Sequence, residues 1–224
     1  MIGTAHAGSH NWTGLYAGAD AGVVFNDAQL TSQHLAFTSL SGTCDLNLDF
    51  TTFSSGIQLG YMYQFGSSVV AGVEVNTTFN GNQKQTSSCR SEFNPDVYDS
   101  FTLRNQTQTA IKGRVGRALN WDKTTFLPYL AVGASLANLE LSYNNEGGNH
   151  QSTADTAVGW LIGAGMEWSF LQHWSLRAEY SFADYGDAIN LSLPVVYGLF
   201  DTNGEGQVNL KSNTVLVSIN YWIF

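Results

Sequence analysis

Residues 156–170, TAVGWLIGAGMEWSF, then 171–173, LQH, then 174–185, WSLRAEYSFADY, decide the fold. In the first segment Val158, Trp160, Ile162, Ala164, Met166 and Trp168 alternate with Gly159, Gly163, Gly165 and Glu167. In the second, Leu176, Ala178, Tyr180 and Phe182 alternate with Arg177, Glu179 and Ser181. A period of two marks a β-strand, whose successive side chains point to opposite faces. The three residues between the segments leave room only for a tight turn, so the two strands form an antiparallel hairpin. Its polar face holds glycines and opposite charges rather than a dense solvating set, which suits a narrow, packed lumen.

Working outward, the same period recurs in six more segments. They run over about Gly14–Phe25, Phe53–Phe65, Val69–Phe79, Thr107–Leu119, Phe126–Ala137 and Asn213–Phe224, which makes eight strands. Their connections alternate in length. Gly66–Ser68, Asn120–Thr124 and Leu171–His173 are tight turns, whereas Asn26–Asp49, Asn80–Gln106, Asn138–Asp155 and Gly186–Ser212 are long. Short turns at one end and long loops at the other are the outer-membrane barrel pattern. Aromatic residues gather beside the short turns, and Trp12, Trp121, Trp168, Trp174, Tyr221 and Trp222 are read as a girdle at the membrane border.

Composition supports a membrane solution. Charged residues are 12% of the 224, against roughly 25% in soluble domains. No apolar run approaches the roughly 18–20 residues of a transmembrane helix. Low charge without such a run leaves the closed barrel, because every backbone group must be paired in lipid. The expected fold is all-β, a closed antiparallel eight-stranded transmembrane β-barrel with short periplasmic turns and four long extracellular loops. One barrel domain spans 11–224, preceded by a signal-peptide remnant or tail over 1–10, in which Ala5-His6-Ala7 fits an export-cleavage pattern. The net charge of −9, with Lys+Arg only 9, excludes nucleic acid as a partner.

At this point the chain resembles the eight-stranded outer-membrane proteins of the opacity and OmpA-like barrel superfamily. The resemblance is carried by Trp12-Thr13-Gly14-Leu15-Tyr16-Ala17-Gly18, by Lys112-Gly113-Arg114-Val115-Gly116 with Leu127-Pro128-Tyr129, by Gly159-Trp160 with Gly163-Ala164-Gly165-Met166-Glu167, and by Leu176-Arg177-Ala178-Glu179-Tyr180. It implies an outer-membrane location and a terminal Phe224 that the barrel-assembly machinery recognises. It also implies contact with outer-membrane lipid and lipopolysaccharide, with a host-surface ligand as a further possible partner. In such barrels an aromatic two residues before the end faces outward. Here Trp222 holds that place, while the apolar phase puts Tyr221 and Ile223 outward, so a bulge is expected in the last strand.

Asp20, Glu74, Lys112, Arg114, Glu167, Arg177 and Glu179 share the inward phase and are read as a lumen ion network, since buried charges must pair. Cys44 and Cys89 fall in the first and second long loops, and an intramolecular disulfide is expected between them in the oxidising periplasm. His34, His150 and His173 show no spacing to Ser suited to acyl hydrolysis. Asp201–Gly206 resembles half of a calcium loop but lacks the closing carboxylate, and an acidic turn is expected there. No catalytic residue, metal or cofactor is expected. The reading is a monomeric, non-enzymatic surface protein whose loops serve adhesion or envelope integrity. The alternatives are a narrow pore for small solutes and a lipid-modifying enzyme.

Overall fold

The computed structural model describes residues 10–33, 43–81, 83, 85–90, 98–121, 124–145, 150–197 and 200–223. It has eleven strands: β1 Gly14–Gln33, β2 Thr43–Asn47, β3 Phe50–Gln64, β4 Val69–Asn80, β5 Gln85–Arg90, β6 Tyr98–Arg117, β7 Leu119–Trp121, β8 Thr124–Asn145, β9 His150–Leu171, β10 Trp174–Tyr197 and β11 Phe200–Ile223. Eight close a ring in the order β1-β3-β4-β6-β8-β9-β10-β11, all neighbours antiparallel. Closure leaves no unpaired edge in the lipid, which is why the alternating pattern can cross a membrane at all.

The outer face carries an apolar band. On β1 it runs from Leu15 to Phe25, ten residue steps. At about 3.3 Å per step and a tilt of about 40° this spans about 25 Å, the height of an outer-membrane apolar belt. Trp121, Trp168, Trp174 and Tyr221 face outward at its lower, short-turn end. Trp12 and Trp222 do not. Both are fully buried inside the barrel, so their assignment to the girdle is corrected. The expected bulge is corrected too. β11 pairs with β1 without a register break from Gln33↔Glu205 to Leu15↔Ile223, so Tyr221 and Ile223 stay outward and Trp222 turns inward with Asn220 and Ser218. Phe224 and the 1–9 segment lie outside the described residues.

Much of the four long connections is strand rather than loop. β1 runs on to Gln33, β6 begins at Tyr98, β8 reaches Asn145, and β10 and β11 form a hairpin up to Tyr197↔Phe200. Above the band the polarity of the wall reverses. Outward positions become Asp27, Gln29 and Thr31 on β1 and Asn138 and Glu140 on β8. Inward positions become Ala28 and Leu30 on β1, Phe101 and Leu103 on β6, Leu139 and Leu141 on β8, and Val208 and Leu210 on β11, which share one apolar core. The reversal follows from the solvent: once the outer face meets water rather than lipid, the apolar side chains belong inside.

The ring also divides at this level. The β9–β10 ladder ends at Asp184↔Trp160, where β10 is bulged between Asp184 and Ile189 and Gly186 has φ 55°. The β3–β4 ladder ends at Ser54↔Asn80, and no ladder joins β2 to β5 among the described residues. β6 carries its own bulge against β8 between Asn105 and Thr107. Bulges bend strands, and here they sit where a round barrel becomes two facing sheets. One sheet is β2-β1-β11-β10 and the other β5-β6-β8-β9. The extracellular part is therefore a four-on-four head with an apolar core, continuous with the barrel wall.

Candidate functional site

The lumen is the first candidate site, and its contents follow from three levels of side chains. At the short-turn end Trp12, Tyr16, Met62, Val70, Leu127 and Trp222 form a buried apolar cluster. The Trp12 and Trp222 rings meet edge to face at 5.3 Å between centroids, and the Trp222 indole N–H donates to Ser175 Oγ at 2.9 Å. Flat, wide rings with one polar edge close a narrow mouth while leaving no donor stranded on Trp222.

Above this plug lies the ion network. Glu74 on β4 receives Lys112 Nζ at 3.1 Å, Arg114 Nη1 at 3.1 Å and the Arg177 guanidinium. Arg114 also donates to Glu167 Oε2 at 2.8 Å, and Lys112 pairs with Glu179. Three cations thus face three carboxylates, all buried. Neutral groups complete the set. Tyr16 donates its hydroxyl to Glu74, Tyr129 donates to Glu179, and Ser175 Oγ and Asn220 Nδ2 donate to Glu167 at 2.6 and 2.8 Å. The Arg114 guanidinium stacks 3.8 Å from the Tyr129 ring centroid. Asp20 makes no ion pair among the described residues and joins through Asn76, whose Nδ2 donates to Asp20 Oδ2 at 2.8 Å and to Gln58 Oε1 at 3.4 Å, the oxygen that also accepts from Arg177. Buried charges are tolerated when paired and hydrogen-bonded, and Glu74, Glu167, Glu179, Lys112, Arg114 and Arg177 each face an opposite charge, while Nε of the two arginines and Asp20 Oδ1 have no hydrogen-bond partner among the described residues.

Two glycines make room for the tyrosines. A Cβ at Gly60 on β3 would strike the Tyr16 ring, and one at Gly165 on β9 would strike the Tyr129 ring. The small residues of the inward phase are therefore sockets for large neighbours. Strand periodicity placed Tyr16 and Tyr129 inward but not in the network, because their partners come from other strands. Gln58, Ser175 and Asn220 were missed for the same reason.

Higher still, a void of about 20 Å³ lined by Asn76, Lys112, Ser135, Glu179, Tyr185 and Thr214 separates the network from the head core. It has room for a single water. Beside and above it, Gln108 Nε2 on β6 donates to Ser212 Oγ on β11 at 3.2 Å, and Asn105 Nδ2 on β6 to Asn26 Oδ1 on β1 at 3.1 Å. These bonds join opposite walls, so the lumen is filled from the periplasmic mouth to the head.

The remaining sequence candidates separate. Asp201–Gly206 lies in β11, paired from Val196↔Asp201 to Leu191↔Gly206. That extended backbone is neither the acidic turn nor the calcium loop read from the sequence, because a cation loop must fold back on its ligands. His173 occupies the last short turn, where its Nδ1 lies 3.0 Å from the Trp222 carbonyl oxygen. His34 and the side chains of His150, Cys44 and Cys89 lie outside those described. The outer surface of the head is acidic. Asp27, Asp49, Glu140, Asp155, Asp184 and Asp187 stand there against Arg104 and Lys211 among the described side chains.

Comparison with known proteins agrees with this architecture. A 31 kDa outer-membrane immunogenic protein of Brucella melitensis is 26% identical over 223 residues, covering 94% of this chain and 83% of its own. A 25 kDa outer-membrane immunogenic protein of Brucella ovis is 25% identical over 184 residues, covering 82% and 75%. Among solved structures, the outer membrane protein OprG of Pseudomonas aeruginosa shares the fold with a TM-score of 0.60 at 12% identity, covering 96% of this chain and 98% of its own. The family model described as the outer membrane protein beta-barrel domain matches residues 1–221. The chain belongs to this family of outer-membrane β-barrels and resides in the outer membrane.

Proposed function

We propose that the protein is a non-conducting, non-enzymatic anchor whose folded head is an adhesive surface for partners bearing exposed positive charge. The observation that carries this reading is the filled lumen: plug, ion network and head core follow one another along the barrel axis. A scaffold stabilised at this level holds the head rigidly, and rigid scaffolds are where surface recognition is built. The acid excess on the head favours basic partner surfaces and makes their association salt-dependent. The Brucella relatives are named outer-membrane immunogenic proteins, which favours a surface role.

The test has two arms. Refolded protein in planar bilayers is expected to show no steady ion-scale conductance. Bacteria displaying the protein are expected to adhere to epithelial monolayers, and to lose adherence when the four hairpins are shortened to the upper edge of the apolar band. Steady conductance overturns the anchor, and adherence that survives the shortening overturns the role of the head.

A further inference from the structure

Among the described residues, the two sheets of the head meet along two seams with no hydrogen-bond ladder. One lies between β9 and β10 above Trp160 and Asp184. The other lies between the edge strands β2 and β5, whose Cα traces approach within 8 Å. Cys44 lies on β2 and Cys89 on β5.

Three placements bring these positions together. The first is height. The last bond between the two strands leading into this seam runs from Gly81 N–H to the Phe53 carbonyl at 2.9 Å. Cys44 lies opposite Ser32 and Cys89 opposite Asp99, so both stand above this last bond, on the stretch where the two edges face each other. The second is phase. Cys44 is opposite Ser32 in the ladder that pairs Leu30 with Leu46, and Leu30 belongs to the head core. Cys89 is opposite Asp99 in the ladder that pairs Ser87 with Phe101 and Gln85 with Leu103, both core residues. Residues directly opposite in a ladder share a face, so both cysteines occupy the core-facing phase of their strands. The third is the seam itself. Among the described residues no ladder joins β2 to β5, so no backbone bond there holds the two sheets together.

We propose that Cys44 and Cys89 form a disulfide that closes the β2/β5 seam and leaves the β9/β10 seam as the side on which the head can open. A disulfide spans Cα atoms about 4.4–6.8 Å apart, and edges whose Cα traces come within 8 Å need only a small adjustment to meet it. In the periplasm, one cysteine thiolate attacks a mixed disulfide formed between the other cysteine and a thiol–disulfide exchange protein. The new S–S bond forms as the exchange protein's sulfur leaves as thiolate. The two thiols lose two protons and two electrons, and the exchange protein's disulfide is reduced to a dithiol. The bridge rests on strand placement alone and does not depend on the adhesive reading above.

The decisive material is protein extracted from native outer membranes and treated with N-ethylmaleimide in denaturant before any reductant. The expected result is a monomer with no adduct before reduction and two after it, and a reducible peptide joining Cys44 to Cys89. Two adducts before reduction, or a reducible dimer of chains, overturns the bridge. In a second arm, Cys44→Ser/Cys89→Ser is inserted into vesicles and followed by amide exchange. Exchange in 43–47 and 85–90 is expected to quicken about tenfold while 111–116 is unchanged. Equal rates in wild type and variant overturn the role of the bridge at the seam.

Discussion

Glu74 on β4 and Arg177 on β10 stand on opposite walls of the barrel, with three strands between them in either direction, and their side chains meet in the lumen. An ion pair that spans the diameter crosses a lumen too narrow to leave an open channel beside it. Glu74 also holds Lys112 and Arg114, which makes it the one carboxylate that pairs with all three lumen cations among the described residues.

Glu74→Gln is therefore expected to deprive Lys112, Arg114 and Arg177 of the carboxylate they share and to cost about 3–5 kcal/mol. The midpoint of urea unfolding in lipid vesicles, read by tryptophan fluorescence, should fall accordingly. Glu74→Gln combined with Arg177→Gln leaves Lys112 and Arg114 facing Glu167 and Glu179. This double variant should recover part of the loss. If the double variant were as unstable as the sum of its single changes, the two residues would not be coupled.

The upper border of the membrane is placed between Leu136 and Asn138 on β8, where the outward face turns from apolar to polar. Val132→Arg, in the band and 66% exposed, should cost about 2–4 kcal/mol on refolding into vesicles. Asn138→Arg, on the same face of the same strand, should change stability by less than about 0.5 kcal/mol. Equal penalties at the two positions would move the border.

The head has its own core, so damage to it should be local. Leu103, fully buried, packs with Phe101, Leu139, Leu141 and Leu210. Leu103→Ala should cost the head about 2–5 kcal/mol. Amide exchange should accelerate in 101–105 and 139–143, while 111–116 in the barrel keeps its protection. Uniform acceleration along β6 would show that head and barrel unfold as one unit.

Brominated lipids distinguish the tryptophans. In variants retaining one tryptophan each, Trp168 faces the lipid and its fluorescence should be quenched. Trp222 is buried behind the wall near the same end, so quenching of its fluorescence should be weak. Strong quenching at Trp222 would return it to the girdle.

The eight strands, their inner and outer faces and the seven inward charges were legible in the sequence because alternation is local: each residue's face is set by its neighbours two positions away. The filled state of the lumen was legible only as a balance of charge. Which carboxylate meets which cation depends on strands brought together by closure, as Glu74 and Arg177 are across 103 positions. Trp222 was misplaced because a family-like ending suggested an outward aromatic, whereas the unbroken β1–β11 register carries its own phase to the end of the strand. The long connections were read as loops because alternation there is inverted and partly polar. A strand in water with an apolar core behind it, such as 27–33 or 138–145, does not resemble a lipid-facing one. The chain by itself thus determined a barrel and its two faces. Only the tertiary structure decided that the wall continues above the membrane, reverses its polarity and parts into two sheets, because that depends on which strands still find ladder partners once the lipid no longer requires the ring to be closed.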